Sequence, residues 1–172
     1  KTSPYAFYQF WLNTADNDVY RFLRYYTFLS PDEINELELA DQSRNKPEAQ
    51  VVLAREMTLS IHGEAALRAA EHISQALFTG NFNQLTREEF QQLEQDGIPM
   101  TETTDRLSLS QLLIKTGLAT SNRQAREFIQ NGAIAVNGEV FKHDELVGIF
   151  PLHDRYFILK RGKKQFHLVK HS

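Results

Sequence analysis

The amino-acid sequence predicts two small domains of different class, an all-α helical bundle followed by an α+β module. Three observations support this prediction: helix-capping signals recur in the first half, apolar residues alternate with polar ones only after residue 130, and the charge changes sign near residue 105. Residues 1–105 contain 8 Lys or Arg and 17 Asp or Glu, whereas residues 106–172 contain 11 and 5. We therefore expect a helical domain over 1–93, a linker over 94–105 and an α+β domain over 106–172.

Capping residues mark the helices of the first predicted domain. A Ser, Thr, Asp or Asn before a helix accepts a hydrogen bond from a free backbone N–H, and proline suits the first helical position. A Ser or Thr followed three residues later by Glu can form a capping box. These signals occur at Ser3-Pro4, Asp16 or Asn17, Ser30-Pro31 with Glu33, Pro47, and Thr86 with Glu89, and Gly63 and Gly80 mark helix ends. Together they predict a bundle of about five or six short helices.

The predicted linker separates the acidic and basic parts of the chain. Gly97 and Pro99 are followed by Thr101, Thr103 and Thr104 among acidic residues, and the segment has no apolar periodicity. We expect it to be mobile, and to be the place where the two domains are joined.

Two helices and a sheet of four or five strands are predicted in the second domain. Leu109, Leu112 and Leu113 form a short helical stripe, and Ser121 caps a second helix that ends at Gly132. The strands are expected around 134–136, 140, 156–160 and 165–170, with a tight turn at Asn137-Gly138.

The composition excludes several classes of protein. The chain has 172 residues, of which 41% are apolar, which suits a packed core rather than a disordered chain. No apolar run approaches the ~18 residues that a membrane span needs. Cysteine is absent, so disulfides, thiolate catalysis and Cys-ligated metals are excluded. Because no signal peptide opens the sequence and its first residue is not Met, we expect a cytoplasmic fragment of a longer protein.

Two clusters of basic residues are candidates for binding a polyanion. Arg123 and Arg126 share one face near a helix start, where free N–H groups and the helix dipole also attract phosphate. The second cluster surrounds a turn, and its charges repel one another unless a polyanion lies opposite. It consists of Lys160, Arg161, Lys163 and Lys164. The alternatives are arginines that pair with Glu127 or Glu139, and a charged loop that protects an edge strand.

The first cluster belongs to a longer pattern, which resembles the RNA-binding module first known from small-subunit ribosomal protein S-four. The matching positions are Ser121, Arg123, Ala125, Arg126, Gly132, Ile134, Val136, Asn137 and Gly138. Asn122 departs from the pattern, because a basic residue often stands there. The resemblance implies an RNA partner for residues 106–172.

The whole chain resembles the C-terminal part of bacterial-type tyrosyl-tRNA synthetases. The matching segments are 3–16, 18–23, 27–29, 54–58, 62–64, 76–78 with Gly80, and 161–164. The resemblance implies an anticodon-binding helical domain, an S-four-type domain that grips the long variable arm, and tyrosine tRNA as the partner. It also makes Asp16, at a helix start near an aromatic run, a candidate reader of an anticodon base.

The catalytic motifs of that family, a HIGH-type motif and a KMSKS-type loop, are missing from this sequence. We therefore expect the fragment alone to have no catalytic residue and no cofactor, with ATP and magnesium required only by the missing catalytic domain. The six histidines lack metal-ligand spacing, so no metal site is expected. The fragment is expected to be monomeric, and the parent a homodimer through its catalytic domain.

Two other functions remain open from the residues. An RNA-modifying protein with an S-four-type module would explain residues 106–172 but not the aromatic opening segment. A helical protein-interaction domain with a solubilising basic tail would explain the charges without RNA.

Overall fold

The computed structural model describes all 172 residues, as eight α-helices and a five-stranded sheet. The helices are α1 (Pro4–Leu12), α2 (Asp16–Tyr26), α3 (Pro31–Asp41), α4 (Ala49–His62), α5 (Glu64–Thr79), α6 (Arg87–Gln92), α7 (Leu109–Lys115) and α8 (Asn122–Gln130). The strands are β1 (Met100–Thr103), β2 (Ile134–Val136), β3 (Glu139–Val140), β4 (Tyr156–Arg161) and β5 (Gln165–His171). A 3₁₀ turn at Phe82–Gln84 precedes α6, and a π-helical turn at Leu93–Gly97 follows it. The chain divides into two compact units, Lys1–Ile73 and Ser74–Ser172.

Most predicted helix starts in the first half of the chain are confirmed. Ser3 Oγ accepts the N–H of Ala6, and Ser30 forms a reciprocal capping box with Glu33. Gly63, at φ +87°, separates α4 from α5. The prediction that Asp16 or Asn17 caps α2 is wrong. Ala15 occupies the capping position without a side-chain bond, and Asp16 is already the first helical residue.

A buried carboxylate holds the start of α4. Asp41 accepts hydrogen bonds from the backbone N–H groups of Glu48 (2.8 Å) and Ala49 (3.1 Å), from the hydroxyl of Tyr20 (2.7 Å) and from the guanidinium of Arg44 (2.9 Å). Burial by itself raises the pKa of Asp41, but these bonds outweigh burial and lower it below its usual value. The carboxylate thus caps α4 from seven residues away along the chain.

The first unit has apolar clusters between its helices. Val19, Leu23, Ile34, Ala49 and Leu53 form one cluster, and Tyr8, Ala54, Leu67 and Ala70 form another. They join α1 to α5 as a bundle, as the sequence predicted.

The second unit contains a five-stranded sheet with order β1-β5-β4-β2-β3, together with α6, α7 and α8. On one face, Ile134, Val136, Leu159 and Val169 pack against the apolar side chains of α7 and α8. Alternate residues of β4 and β5 point to the opposite face, where Tyr156 stacks on Phe90 of α6 at 4.9 Å between ring centroids.

The Asn137-Gly138 turn joins β2 to β3, as predicted. Both residues have positive φ, +50° and +91°, and Val136 pairs with Glu139 across the turn. Gly138 also lies against the end of α5, since a Cβ at this position would be 2.0 Å from the carbonyl oxygen of Gly80.

The segment predicted as a linker over 94–105 is part of the fold. Met100–Thr103 forms β1, which pairs in parallel with β5. Glu94 accepts hydrogen bonds from the Lys170 ammonium (2.6 Å) and the Tyr156 hydroxyl (2.8 Å). Burial tends to raise the pKa of Glu94, but these two bonds lower it. The prediction of a linker did not anticipate β1, because β1 is a short edge strand whose partner lies more than 60 residues away. Such a strand can form without an apolar pattern in its own sequence. The division between the compact units lies within α5 instead; separate folding of the two predicted domains stays a prediction.

Candidate nucleic-acid interface

Helix α8 presents Arg123 and Arg126 to solvent. Ser121 Oγ accepts the N–H of Gln124 at 3.1 Å and so caps the helix, while Ala125 and Ile129 are buried in the core. The two arginines therefore project from the opposite face, and both are exposed. Neither forms an ion pair with a carboxylate, Glu127 and Glu139 included.

Arg161 has structural contacts that the sequence did not predict. It is the last residue of β4, on the face covered by α7 and α8. Its guanidinium carbon lies 5.0 Å from the ring centroid of Phe128 in α8, and its Nη1 donates to the carbonyl oxygen of Leu118, just after α7. The side chain thus ties β4 to both helices.

The turn between β4 and β5 carries two lysines without a carboxylate partner. Arg161 pairs with Gln165 across the turn, and Gly162 has φ +63°. The N–H of Gly162 donates to the Ala133 carbonyl at 2.9 Å, which fixes the turn against the start of β2. Lys163 and Lys164 are exposed at its tip.

Lys160 points to the other face of the sheet. Its ammonium lies 5.2 Å from the ring centroid of Phe166 on β5, a cation–π contact. The structure therefore divides the six predicted cations: four project freely from α8 and the turn, and Lys160 and Arg161 are held against aromatic rings on opposite faces.

A groove of about 430 Å³ lies beside the turn and was missed by the sequence analysis. Arg161 and Lys164 line it together with the end of α7 and Gly97–Pro99, and its lining contains no carboxylate. His167 also lines the groove, and its Nε2 is 2.7 Å from the hydroxyl of Thr101. Burial lowers the pKa of His167, so the imidazole adds no positive charge at neutral pH. Three distant segments form the groove, so no local motif could have indicated it.

In the first unit, Asp16 is exposed at the start of α2, and its Oδ1 accepts a hydrogen bond from Gln50 at 2.7 Å. Of the aromatic run before it, Tyr5 and Tyr8 are buried, whereas Phe10 is exposed. The sequence analysis missed three further exposed rings, which are Tyr25, Tyr26 and Phe28. No local signal in the sequence separates these exposed rings from the buried ones.

No group of three or more His, Asp or Glu side chains is arranged to hold a metal ion. None of the helices combines the length and the apolar character required to cross a bilayer.

Comparison with known proteins places this architecture in a family. Residues 89–169 match the tyrosine–tRNA ligase SYY-like C-terminal domain, and residues 1–79 match the class I tRNA synthetases of the W and Y type. Tyrosine–tRNA ligase 1 of Vibrio vulnificus (strain YJ016) is 55% identical over 99% of this chain and 40% of its own length. The chain belongs to the tyrosine–tRNA ligase family.

Other tyrosine–tRNA ligases match the same stretch. Those of Pseudoalteromonas translucida (strain TAC 125) and Neisseria meningitidis serogroup A are 49% and 46% identical over 99% and 98% of this chain. The chain corresponds to 41% and 42% of their lengths, so it spans about two fifths of these ligases. Because the matches include the helical first half, they favour a tyrosine–tRNA ligase over an RNA-modifying protein with an S-four-type module.

Two solved structures are also similar. The solution structure of a tyrosyl-tRNA synthetase C-terminal domain is 36% identical, with a TM-score of 0.42 over 56% of this chain and all of that one. A C-terminally truncated mitochondrial tyrosyl-tRNA synthetase of Aspergillus nidulans is 36% identical, with a TM-score of 0.41 over 45% of this chain and 23% of that one.

Proposed function

We propose that this chain is the tRNA-binding C-terminal part of a tyrosine–tRNA ligase. It positions tyrosine tRNA for aminoacylation by a catalytic domain that the chain does not contain. The observation that carries the proposal is the set of exposed cations on α8 and on the β4–β5 turn, which have no carboxylate partner. They are Arg123, Arg126, Lys163 and Lys164.

These cations suit phosphate contacts rather than internal ion pairs. An arginine without a carboxylate partner can form two parallel hydrogen bonds with a phosphate, and each neutralised phosphate releases condensed counterions. The stack of Arg161 on Phe128 connects the strand before the turn to α8. Because of that connection, the cations of α8 and those of the β4–β5 turn belong to one packed module and not to a flexible tail.

Each half of the chain has its own role in the proposal. The S-four-type module binds the long variable arm and the stem next to it, through α8 and the turn. The helical part faces the anticodon region, where Asp16 accepts hydrogen bonds from a base. Oδ2 of Asp16 has no hydrogen-bond donor in the structure and is available for that contact.

The proposal is tested by tRNA binding at several salt concentrations. The double variant Arg123→Ala, Arg126→Ala should bind tyrosine tRNA more weakly, and its salt slope should fall by roughly 0.7–0.9 for each phosphate that is no longer neutralised. The matched control is Arg55→Ala, Arg68→Ala, which removes the same charge from arginines that are paired with Glu71 and Glu64.

A tRNA with a shortened variable arm provides the second comparison. It should bind the wild-type chain less tightly than the intact tRNA. Equal affinity for the two tRNAs, or a double variant that binds like its control, would contradict the proposal.

The same proposal assigns no chemistry to the chain alone. Forming an adenylate requires fixed positive charge and positioned ATP phosphates, and the sequence has no glycine-rich phosphate loop. The purified chain should therefore show no ATP–pyrophosphate exchange with tyrosine and magnesium, and it should sediment as a monomer. Exchange above a blank would show that this fragment contains catalytic residues.

A further inference from the structure

A small pocket lies on the sheet face opposite α7 and α8, beside the basic turn. Its volume is about 230 Å³, below the roughly 300–1,000 Å³ typical of small-molecule sites. The end of α5, strands β2 and β3, and the residues Lys160 and Gly162 form its walls. All of these residues belong to the second compact unit.

The pocket is lined by an exposed aromatic ring and by backbone atoms of two glycines. Phe78, on the last turn of α5, is 79% exposed although it lines the pocket, and Val140 is 60% exposed. Gly80 and Gly138 approach so closely that a Cβ on Gly138 would be 2.0 Å from the Gly80 carbonyl oxygen. Because neither glycine has a side chain, backbone atoms form this part of the lining.

Its charge is positive. Lys160 is the only charged residue in the lining. Its ammonium lies over the ring of Phe166 on the neighbouring strand β5 and has no carboxylate partner. Gly162, also in the lining, is the first residue of the turn that carries Lys163 and Lys164. A ligand here meets an aromatic face, an apolar wall and a cation within one small site.

We propose that this pocket binds one unpaired nucleotide of the RNA, with its base stacked on Phe78 and its phosphate near Lys160. Unpaired bases bind proteins by stacking on aromatic rings, while nearby cations hold the backbone. Because the pocket lies next to the β4–β5 turn, it extends the proposed RNA surface from α8 around the end of the sheet. This inference rests on the proposed function, because it requires an RNA on the basic turn.

The first test compares Phe78→Ala with Phe78→Tyr in the full chain, using a tyrosine tRNA transcript and fluorescence anisotropy. Removing the ring on which one base stacks should weaken binding roughly 5- to 150-fold, with an unchanged salt slope because no ionic interaction is removed. Phe78→Tyr should bind like the wild type. The matched control is Phe150→Ala, since Phe150 is 81% exposed but lines a different groove.

The second test places a fluorescent reporter in the pocket. The chain has a single tryptophan, Trp11, so the signal of Phe78→Trp can be separated by subtracting the wild-type spectrum. A base stacked on the new indole should quench it when tRNA is added, whereas Phe150→Trp should remain unquenched.

The outcomes separate this inference from the proposed function. If the Arg123→Ala, Arg126→Ala variant is weakened but Phe78→Ala binds like wild type, the pocket assignment alone fails. Equal losses for Phe78→Ala and Phe150→Ala would also overturn it, because they would show a non-specific aromatic effect. If the double arginine variant binds like wild type, the proposed function fails and the pocket assignment with it.

Discussion

Replacement of Arg161 tests whether this residue binds phosphate or holds the module together. The sequence places it among the RNA-binding cations, but its guanidinium stacks on Phe128 and donates to the Leu118 carbonyl. Arg161→Ala removes both interactions and leaves that carbonyl without this donor. We therefore expect the main effect on the free energy of unfolding.

The magnitude follows from the two interactions. A hydrogen bond from a charged donor contributes about 1.5–3 kcal/mol, and a partly exposed cation–π contact about 0.5–1 kcal/mol. Together they predict a destabilisation of about 2–4 kcal/mol. In a chain of this length each kcal/mol lowers Tm by about 2–4 °C, so the expected decrease is roughly 4–16 °C. Arg161→Lys should recover only a part, because lysine lacks the planar donor fork.

The assay is urea unfolding followed by circular dichroism, together with tRNA binding as a function of salt. Arg161→Ala should lower the midpoint with an unchanged m-value, and it should keep the wild-type salt slope where it remains folded. Lys164→Ala, at an exposed position of the same turn, should do the opposite: unchanged stability and a slope lower by roughly 0.7–0.9. If Arg161→Ala kept the wild-type midpoint and showed a reduced salt slope, Arg161 would be a phosphate ligand and the packing argument would be wrong.

Three further predictions concern the fold. Asp41→Asn should cost about 2–3 kcal/mol at neutral pH, because charge-assisted bonds are removed. Folding lowers the pKa of Asp41. The contribution of the Asp41 carboxylate to the free energy of unfolding should therefore be complete above the unfolded pKa of about 3.9, and it should disappear as the pH falls through the folded pKa. Acid unfolding of Asp41→Asn compared with wild type measures this difference. Gly138→Ala should destabilise far more than Gly148→Ala in thermal melts. Both glycines have positive φ, but only Gly138 has a backbone neighbour within 4 Å of the added Cβ. Brief digestion by a broad-specificity protease should cut the irregular residues 141–151 before 98–105, and early cleavage at 98–105 would restore the predicted linker.

The elements with local signals were predictable from the sequence. Ser30 with Glu33 and Thr86 with Glu89 formed the expected capping boxes, because both partners lie within one helical turn. The Asn137-Gly138 turn formed for a similar reason, since its backbone requires positive φ at both positions.

Long-range contacts explain what the sequence did not show. Asp41 caps α4 from the end of another helix. The sequence placed this start at Pro47, whereas α4 begins at Ala49 and has no side-chain cap from its own N-cap residue. Strand β1 obtains its order from backbone bonds to β5 and from the contacts of Glu94, all with residues far along the chain. Composition described that segment as polar and rich in turn formers, which is also true of a short edge strand.

In the candidate site, too, local signals were predictable from the sequence and long-range contacts were not. Sequence identified the positions of Arg123 and Arg126 through helical spacing, and their exposure agrees with that argument. It could not distinguish Arg161 from Lys164, because both belong to one basic run and only the tertiary contact with Phe128 separates them. Phe78 was a matching position in the resemblance, but its role as the exposed wall of a pocket depends on where β2 and β3 lie.

The net charge of the second half therefore overstates what is available to an RNA. Lys170 is paired with Glu94, which belongs to the acidic half of the sequence, and Arg161 is held by Phe128 and Leu118. Arg106 and Lys142 are exposed elsewhere in this half. The cations assigned to the RNA surface are Arg123 and Arg126 on α8 and Lys163 and Lys164 at the tip of the turn, with Lys160 on the opposite sheet face. A polyanion that contacts α8, the turn and Lys160 must pass around the end of the sheet at the β4–β5 turn. A flexible single-stranded segment can do this more easily than a stiff duplex. The proposal that the RNA contributes an unpaired nucleotide therefore depends on the placement of the cations more than on their number.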